Sequence, residues 1–220
     1  MMRQGVIVLA FLVELVLARP AHADRAEAQW SARTLTGVVQ MRAERAPDPT
    51  YGLVGGLALA VSYGISNQLD LGVELLSFVT SEPDFENASL TISDDTAYST
   101  YTRREGATLF LAGATWRYGV DWVPVLAVSG GAGVRYRDNG AFSPMRYHPV
   151  EDHAVRVMDW AALGKAGIER RINRSVTLGA YSALLMDWSP DAPLMASLSL
   201  ALGVSYVHYP AGLNRLRAKW

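Results

Sequence analysis

Residues 194–206 alternate between two kinds of side chain with almost no error. One face carries Leu, Ala, Val and Tyr, whereas the other carries mainly Ser, Ala and Gly. A period of two residues indicates a β-strand whose two faces lie in different surroundings. The stretch is longer than the about five to six residues of a common soluble strand, and its length suits a tilted strand that crosses a bilayer.

Seven further segments show the same alternation. The clearest are residues 51–63, 122–136, 158–169 and 176–188, and the less regular ones are residues 34–44, 69–75 and 109–118. In residues 34–44 we expect Leu35, Val39 and Met41 on the apolar outer face and Arg42 on the inner face. Residues 109–118 are the least clear because both faces are apolar near their start. Eight strands is an even number, as a single-chain bacterial barrel requires.

The aromatic residues indicate which face of the strands points outward. A soluble lipocalin-like barrel would enclose the apolar face. Tyr51 and Tyr63, however, share a face at opposite ends of one segment, as do Trp122 and Tyr136 in another. About twelve tilted residues project to roughly 28 Å, close to the ~25 Å apolar band between aromatic girdles. We therefore predict a membrane barrel with the girdle residues Tyr51, Tyr63, Trp116, Trp122, Tyr136, Trp160, Trp188 and Tyr206.

The N-terminus has the features of a secretory signal. Arg3 precedes an apolar run at residues 6–13, and Ala21-His22-Ala23 is a small-x-small cleavage site. The predicted organisation is a cleaved signal peptide (1–23), a periplasmic N-terminal segment (24–33), a barrel (34–209) and a periplasmic C-terminal tail (210–220). The chain has no cysteine, and its formal charge of −1 offers no basic surplus for nucleic acid.

The predicted connections alternate between short and long. Residues 64–68, 119–121 and 171–174 form short turns, whereas residues 46–50, 81–105, 137–154 and 187–193 form the other connections. This alternation is typical of periplasmic turns and extracellular loops, with both termini in the periplasm.

Residues 63–72, Tyr-Gly-Ile-Ser-Asn-Gln-Leu-Asp-Leu-Gly, resemble the strand-turn-strand units of the small OmpA-like, OmpX-like and OmpW-like outer-membrane barrels. The resemblance covers about residues 34–209 and rests on pattern. It implies an all-β, eight-stranded antiparallel up-and-down transmembrane β-barrel in the outer membrane of a Gram-negative bacterium. Outer-membrane lipid, lipopolysaccharide and the assembly machinery would be its partners. The family's C-terminal assembly signal is matched only in part, at Gly203, Tyr206 and His208, so the signal is either internal or at Trp220.

The interior of an eight-stranded barrel is barely wide enough for its own side chains, so charged residues inside are expected to pair. Our candidates for a luminal charge network are Arg42, Glu74, Arg117, Arg135, Asp159, Lys165 and Glu169; the same face also holds Glu44 and Asp70. An ionic plug is the favoured interpretation, and a gated narrow path is the alternative. Glycines at 130, 131 and 133 lie within a strand, where they ease packing rather than bind phosphate.

The loops contain residue types that bind metals elsewhere, without the spacing of a known motif. Residues 81–105 are rich in acids but lack calcium-loop spacing, and His148, Glu151, Asp152 and His153 do not form a zinc motif. Ser143 with His148 or His153 is the only candidate for an enzyme site, and no motif supports it. We therefore expect no catalytic residue, metal or cofactor.

Two classes of function remain at the level of sequence. The first is a structural or interaction barrel that contacts a partner through the extracellular loops 81–105 and 137–154 or through the C-terminal tail. The second is a narrow channel or transporter for ions or small solutes. A lipid-modifying outer-membrane enzyme is a third and more remote alternative.

Overall fold

The computed structural model describes residues 27–41, 49–81, 84–91, 97–118, 122–143, 146–149, 155–173, 175–189 and 192–208. The predicted signal peptide and the C-terminal tail lie outside these residues, as do Arg42 and Glu44. The strands are β1 (Ala28–Met41), β2 (Thr50–Gly64), β3 (Leu69–Thr80), β4 (Asp84–Thr91), β5 (Ala97–Arg117), β6 (Trp122–Ser143), β7 (Arg146–Pro149), β8 (Val155–Arg171), β9 (Val176–Ser189) and β10 (Ala192–His208).

Eight of the ten strands in the described residues form a closed barrel. Every long strand pairs antiparallel with the next long strand along the chain, and β1 pairs with β10 to close the circle. The two short strands, β4 and β7, pair only with β5 and β6, respectively, among the described residues. The predicted all-β, eight-stranded, up-and-down fold is confirmed. No helix in the described part of the chain is long and apolar enough to cross a membrane.

The register of the strands sets the tilt of the barrel. The register can be followed around the barrel by moving from each residue to its partner on the neighbouring strand. The path starts at Ala28, passes through Tyr63 and Leu71, and returns to β1 at Val38. This offset of ten residues over eight strands corresponds to a tilt of about 40°. The interior of such a barrel has room for side chains and little else.

The first strand corrects the prediction for residues 34–44. The strand begins at Ala28, so part of the segment assigned to the periplasm lies in the wall, and its faces are reversed. Val39 and Met41 are buried inside, whereas Trp30 and Val38 point outward. Residues 38 and 39 are both valine, so the sequence pattern is ambiguous here. The pairing with β10 decides the face, because a shift of one residue turns every side chain to the other side.

The outer surface of the barrel is apolar along most of its length. Leu57, Leu200 and Leu202 each expose more than 60% of their surface, and large apolar residues of every long strand share this face. Of the predicted girdle residues, Tyr51, Tyr63, Trp122, Tyr136, Trp160, Trp188 and Tyr206 are exposed on the outside, and Trp116 is partly exposed. Most charged residues of the same strands are buried inside, and Arg104 and Arg170 are exposed exceptions. The distribution is the reverse of that in a soluble barrel.

The two ends of the barrel differ. At one end, here called the turn end, tight turns join β2 to β3 and β8 to β9. The Ile65 amide donates to the Leu69 carbonyl at 3.0 Å, and the Ile172 amide donates to the Val176 carbonyl at 2.9 Å. β1 starts and β10 finishes at this end. The opposite end, where β3 leads into β4 and β6 leads into β7, is here called the loop end.

The structure also corrects the extent of the loop-end connections. Residues 81–105 and 137–154 were expected to be loops, with an extension of the hairpin only at residues 88–92 and 99–101. In the structure β4 pairs with the start of β5, and β6 continues to Ser143 before pairing with β7. At the level of Tyr101 the register runs across four strands, from Phe85 through Tyr101 and Ala141 to His148. A four-stranded sheet therefore extends from the barrel at its loop end.

Candidate functional site

The inward face of several long strands changes from charged to apolar and back to charged along its length. On β8 the order from the loop end is Asp159, then Ala161 and Leu163, then Lys165. On β5, Glu105 is followed by three buried apolar residues before Arg117 is reached. The interior thus consists of a loop-end charge layer, an apolar layer and a turn-end charge layer.

The turn-end charge layer includes one group of ion-paired side chains in which an arginine lies between two carboxylates. Arg117 contacts Asp70 and donates from Nε to Glu169 Oε2 at 3.0 Å. Glu169 also accepts a hydrogen bond from the Tyr181 hydroxyl at 2.7 Å. Glu169 therefore has a partner for each of its oxygens.

A second group of ion-paired side chains lies in the same layer, closer to the loop end. Glu74 contacts Lys165 and lies 3.2 Å from Nη2 of Arg33. The Arg33 guanidinium lies 5.8 Å from the ring centre of Tyr181. This contact connects the two groups of ion-paired side chains. The turn-end layer thus combines three cations with three carboxylates, and pairing of this kind is what makes buried charges tolerable.

The apolar layer fills the middle of the barrel. Leu76, Leu109, Leu111 and Leu163 are almost fully buried. The whole cluster comprises Val39, Met41, Val54, Ala58, Leu76, Phe78, Ala107, Leu109, Leu111, Ala161, Leu163, Ala183, Leu185 and Met195.

Glycines on neighbouring strands make room for these side chains. Leu109 lies opposite Gly133, and Leu111 lies opposite Gly131. A Cβ atom on Gly133 would lie 2.0 Å from the Thr108 carbonyl oxygen, so no side chain fits there. The glycine-rich stretch of β6 therefore serves packing of the wall, as we predicted.

The loop-end charge layer is centred on Arg135. Its guanidinium contacts Asp159, donates to Asp187 at 2.8 Å and lies 3.5 Å from Glu105. Arg137 donates to Glu105 at 3.0 Å. Arg103 completes the layer at 3.6 Å from Glu105, so three cations again meet three carboxylates.

The predicted luminal residues occupy both charge layers. Glu74, Arg117, Lys165 and Glu169 lie in the turn-end layer, and Arg135 and Asp159 lie in the loop-end layer. The apolar layer separates the two groups, so they form two networks rather than one. Arg42 lies outside the described residues.

Several interior residues were absent from the predicted network. Arg33 had been assigned to the N-terminal segment, and Glu105 to a loop. Asp187 shows the correct alternation in β9 and could have been found from it. The apolar layer was also missed, although the two apolar faces near the start of residues 109–118 were its signal.

The described residues contain no group of three or more His, Asp or Glu side chains placed to hold a metal. Ser143 and His148, two of the residues considered for an enzyme site, lie two positions apart on the paired strands β6 and β7. His153 lies outside the described residues.

Together these features define a class of structure: a closed, eight-stranded antiparallel barrel with an apolar exterior and a filled, charged interior. No protein-family model matches the chain, and no curated protein sequence matches it.

Among solved structures, the chain is similar to Ail, the attachment invasion locus protein of Yersinia pestis, with a TM-score of 0.48 and 12% identity over 84% of this chain and 100% of that chain. It is also similar to Neisserial surface protein A (TM-score 0.46, 10% identity, 82% and 96% covered). A third match is the N-terminal β-barrel domain of Pseudomonas aeruginosa OprF (TM-score 0.39, 12% identity, 84% and 98% covered). These proteins are small outer-membrane barrels.

Proposed function

We propose that this protein is an integral barrel of a Gram-negative outer membrane that acts as a structural or interaction protein rather than as a channel. In this proposal the wall anchors the chain in lipid, the interior is closed, and the four-stranded extension at the loop end contacts a partner. The apolar layer between two charge layers is the observation that carries the choice of a closed barrel over a channel.

The outer surface supports a membrane location. Large apolar side chains cover the wall between aromatic residues, and soluble monomers rarely expose apolar patches of more than a few hundred Å². Pairing of β1 with β10 leaves no open edge in the wall. Both properties are requirements for a structure that spans lipid with strands.

The apolar layer supports a closed interior. An ion that follows the charged side chains from either end meets Leu76, Leu109 and Leu163, which offer it no polar partner. Because an ion without water or a polar partner is very costly, an apolar constriction prevents conduction.

The loop-end extension supports the interaction role. β4, β5, β6 and β7 pair side by side above the barrel, so a rigid wall holds this sheet in place. Its edges are β4 and β7, and edge strands offer main-chain groups to a partner. We propose a protein partner for this surface, and we propose no enzymatic activity.

The narrow-channel alternative has one feature in its favour. A cavity of about 40 Å³ lies in the turn-end layer beside Arg33, Ser129 and Lys165. It has room for about one water molecule, and Leu111 of the apolar layer lines it.

Conductance across planar lipid bilayers distinguishes the two functions. We expect no single-channel steps from the refolded protein or from the double variant Glu74→Ala/Lys165→Ala, because the apolar layer closes the interior without this ion pair. A known porin added to the same bilayers is the control for the recording. Steps from the unchanged protein would contradict the proposal, and steps from the double variant alone would show that the ion pair closes the lumen.

A further inference from the structure

The lipid-facing wall contains a groove between β6, β8 and β9. Its volume is about 590 Å³, and its lining includes Leu126, Val128, Gly164, Ala166, Ser182 and Leu184. No atom lies within 4 Å of the place where a Cβ of Gly164 would be, so the glycine opens this part of the wall. The Ser182 hydroxyl donates to the Ala166 carbonyl at 3.2 Å, which leaves the groove largely without free polar groups.

An arginine lies on the turn-end side of the groove, on the outward face of β8. Arg170 is exposed on the outside of β8 at the turn end, directly opposite Trp122 in the register. Its guanidinium lies 5.1 Å from the centre of the Trp122 ring. No carboxylate among the described residues pairs with Arg170. A cation held by an aromatic ring at a membrane surface is placed to meet an anionic headgroup.

The distance between the two features matches one leaflet of a bilayer. Gly164 and Arg170 are six residues apart on β8, or roughly 20 Å along the strand at ~3.3 Å per residue. At a tilt of about 40° this becomes roughly 15 Å along the barrel axis, which is half of the ~30 Å hydrocarbon thickness.

We propose that this groove binds one phospholipid of the leaflet at the turn end, with its phosphate on Arg170 and one acyl chain against Gly164 and Ala166. Charge and shape both favour this occupant, because the cation lies at headgroup depth and the apolar groove lies at chain depth. The site rests on the proposed membrane location. It adds that one lipid is held at a defined place on the wall.

Native mass spectrometry of the full-length protein tests the site. The refolded protein is delipidated in an uncharged detergent and titrated with dioleoyl phosphatidylglycerol. We expect one retained lipid at low lipid ratios, and weaker retention of monogalactosyl diacylglycerol, which has two chains and no phosphate. Gly164→Leu, which fills the groove, and Arg170→Gln, which removes the charge, should each weaken retention by roughly tenfold.

Gly55→Leu is the matched control. Gly55 is also a glycine of the wall with open space at its Cβ position, but it lies on β2, away from the groove. This variant should retain phosphatidylglycerol as the unchanged protein does. Heat-modifiable gel mobility shows that each variant has folded as a barrel.

Each other result has a distinct meaning. Equal retention by Gly164→Leu and the unchanged protein would overturn the site. A dimer that Gly164→Leu abolishes would also overturn it, since the groove would then be an interface between copies. Absence of bound lipid from a folded protein that fractionates with the outer membrane overturns the site alone, whereas failure to fractionate there overturns the proposed function.

Discussion

Glu74 shows what a buried charge requires of its neighbours. It contacts both Arg33 and Lys165 from a position that is nearly inaccessible to solvent. Glu74 and Lys165 could be predicted from alternation in their own strands. Arg33 could not, because the sequence did not reveal that β1 starts before it.

Removal of Glu74 should destabilise the barrel strongly. Glu74→Ala leaves two buried cations without their carboxylate, and loss of one partner of a buried pair typically costs about 3–5 kcal/mol. The free energy of unfolding in urea, measured in lipid vesicles, tests this. Glu74→Ala/Lys165→Ala should lose less than the sum of the losses of the two single variants; a double loss equal to that sum would show that the pair is not coupled.

The outward face of β10 provides a test of depth in the membrane. Leu200 lies near the middle of the wall, whereas Tyr206 lies on the same face near the turn end. Leu200→Arg should cost about 2–4 kcal/mol of unfolding free energy in vesicles, and Tyr206→Arg about 0–1 kcal/mol. Similar costs for both variants would contradict the membrane assignment.

At the scale of elements, β6 shows how a strand serves two environments. Gly133 faces the crowded interior, whereas Gly130 faces outward. A Cβ atom on Gly130 would lie 3.6 Å from the Ala161 carbonyl oxygen, its nearest neighbour. The sequence alone does not distinguish these glycines. The register with β5 and β8 does, because it determines which backbone atoms approach each of them.

The two glycines should therefore respond differently to the same change. Gly133→Ala should destabilise the barrel by about 1–3 kcal/mol, since the added methyl group must displace backbone. Gly130→Ala is the control on the same strand and should change stability by less than about 0.5 kcal/mol. Unfolding midpoints in urea give the comparison, and equal losses would argue against the register described for β6.

The corrected position of β1 has a direct test, because the chain contains no native cysteine. Ser31 pairs with Ser205 in the register of β1 and β10, and directly opposed strand residues are close enough for a disulfide. Ser31→Cys/Ser205→Cys should form an intramolecular disulfide on oxidation, detected by a change in gel mobility that a reductant reverses. Ser31→Cys/Ser197→Cys is the mismatched control, and cross-linking of that pair instead would refute the register.

At the scale of the whole molecule, the two ends of the barrel are chemically and topologically distinct. Tight turns and both terminal strand ends lie at one end, and the four-stranded extension lies at the other. Our proposal puts the turn end in the periplasm and the extension outside the cell, the orientation typical of outer-membrane barrels.

Single cysteines report this orientation. Ala88→Cys lies in β4 of the extension, and Ser66→Cys lies in the exposed turn between β2 and β3. A membrane-impermeant maleimide should label Ala88→Cys on intact cells, but Ser66→Cys only after the outer membrane is permeabilised. The reverse pattern would mean that the barrel is inserted the other way round.

The sequence by itself determined that the barrel has eight strands, and it determined the outward face of most of them. Alternation with a period of two is a local property, and Leu57, Leu200 and Tyr63 therefore lie where the pattern predicts. It also predicted that charges of both signs line the interior.

Only the tertiary structure decided how those charges are grouped and where the ambiguous strand faces. Which side chains meet inside a barrel depends on the offset between strands that are distant in sequence, as with Arg135 and Asp187 or Arg33 and Glu74. That offset placed leucines of several strands at one level and separated the charges into two layers. Pairing with β10 likewise turned Val39 inward, because closure of the barrel left β1 a single register.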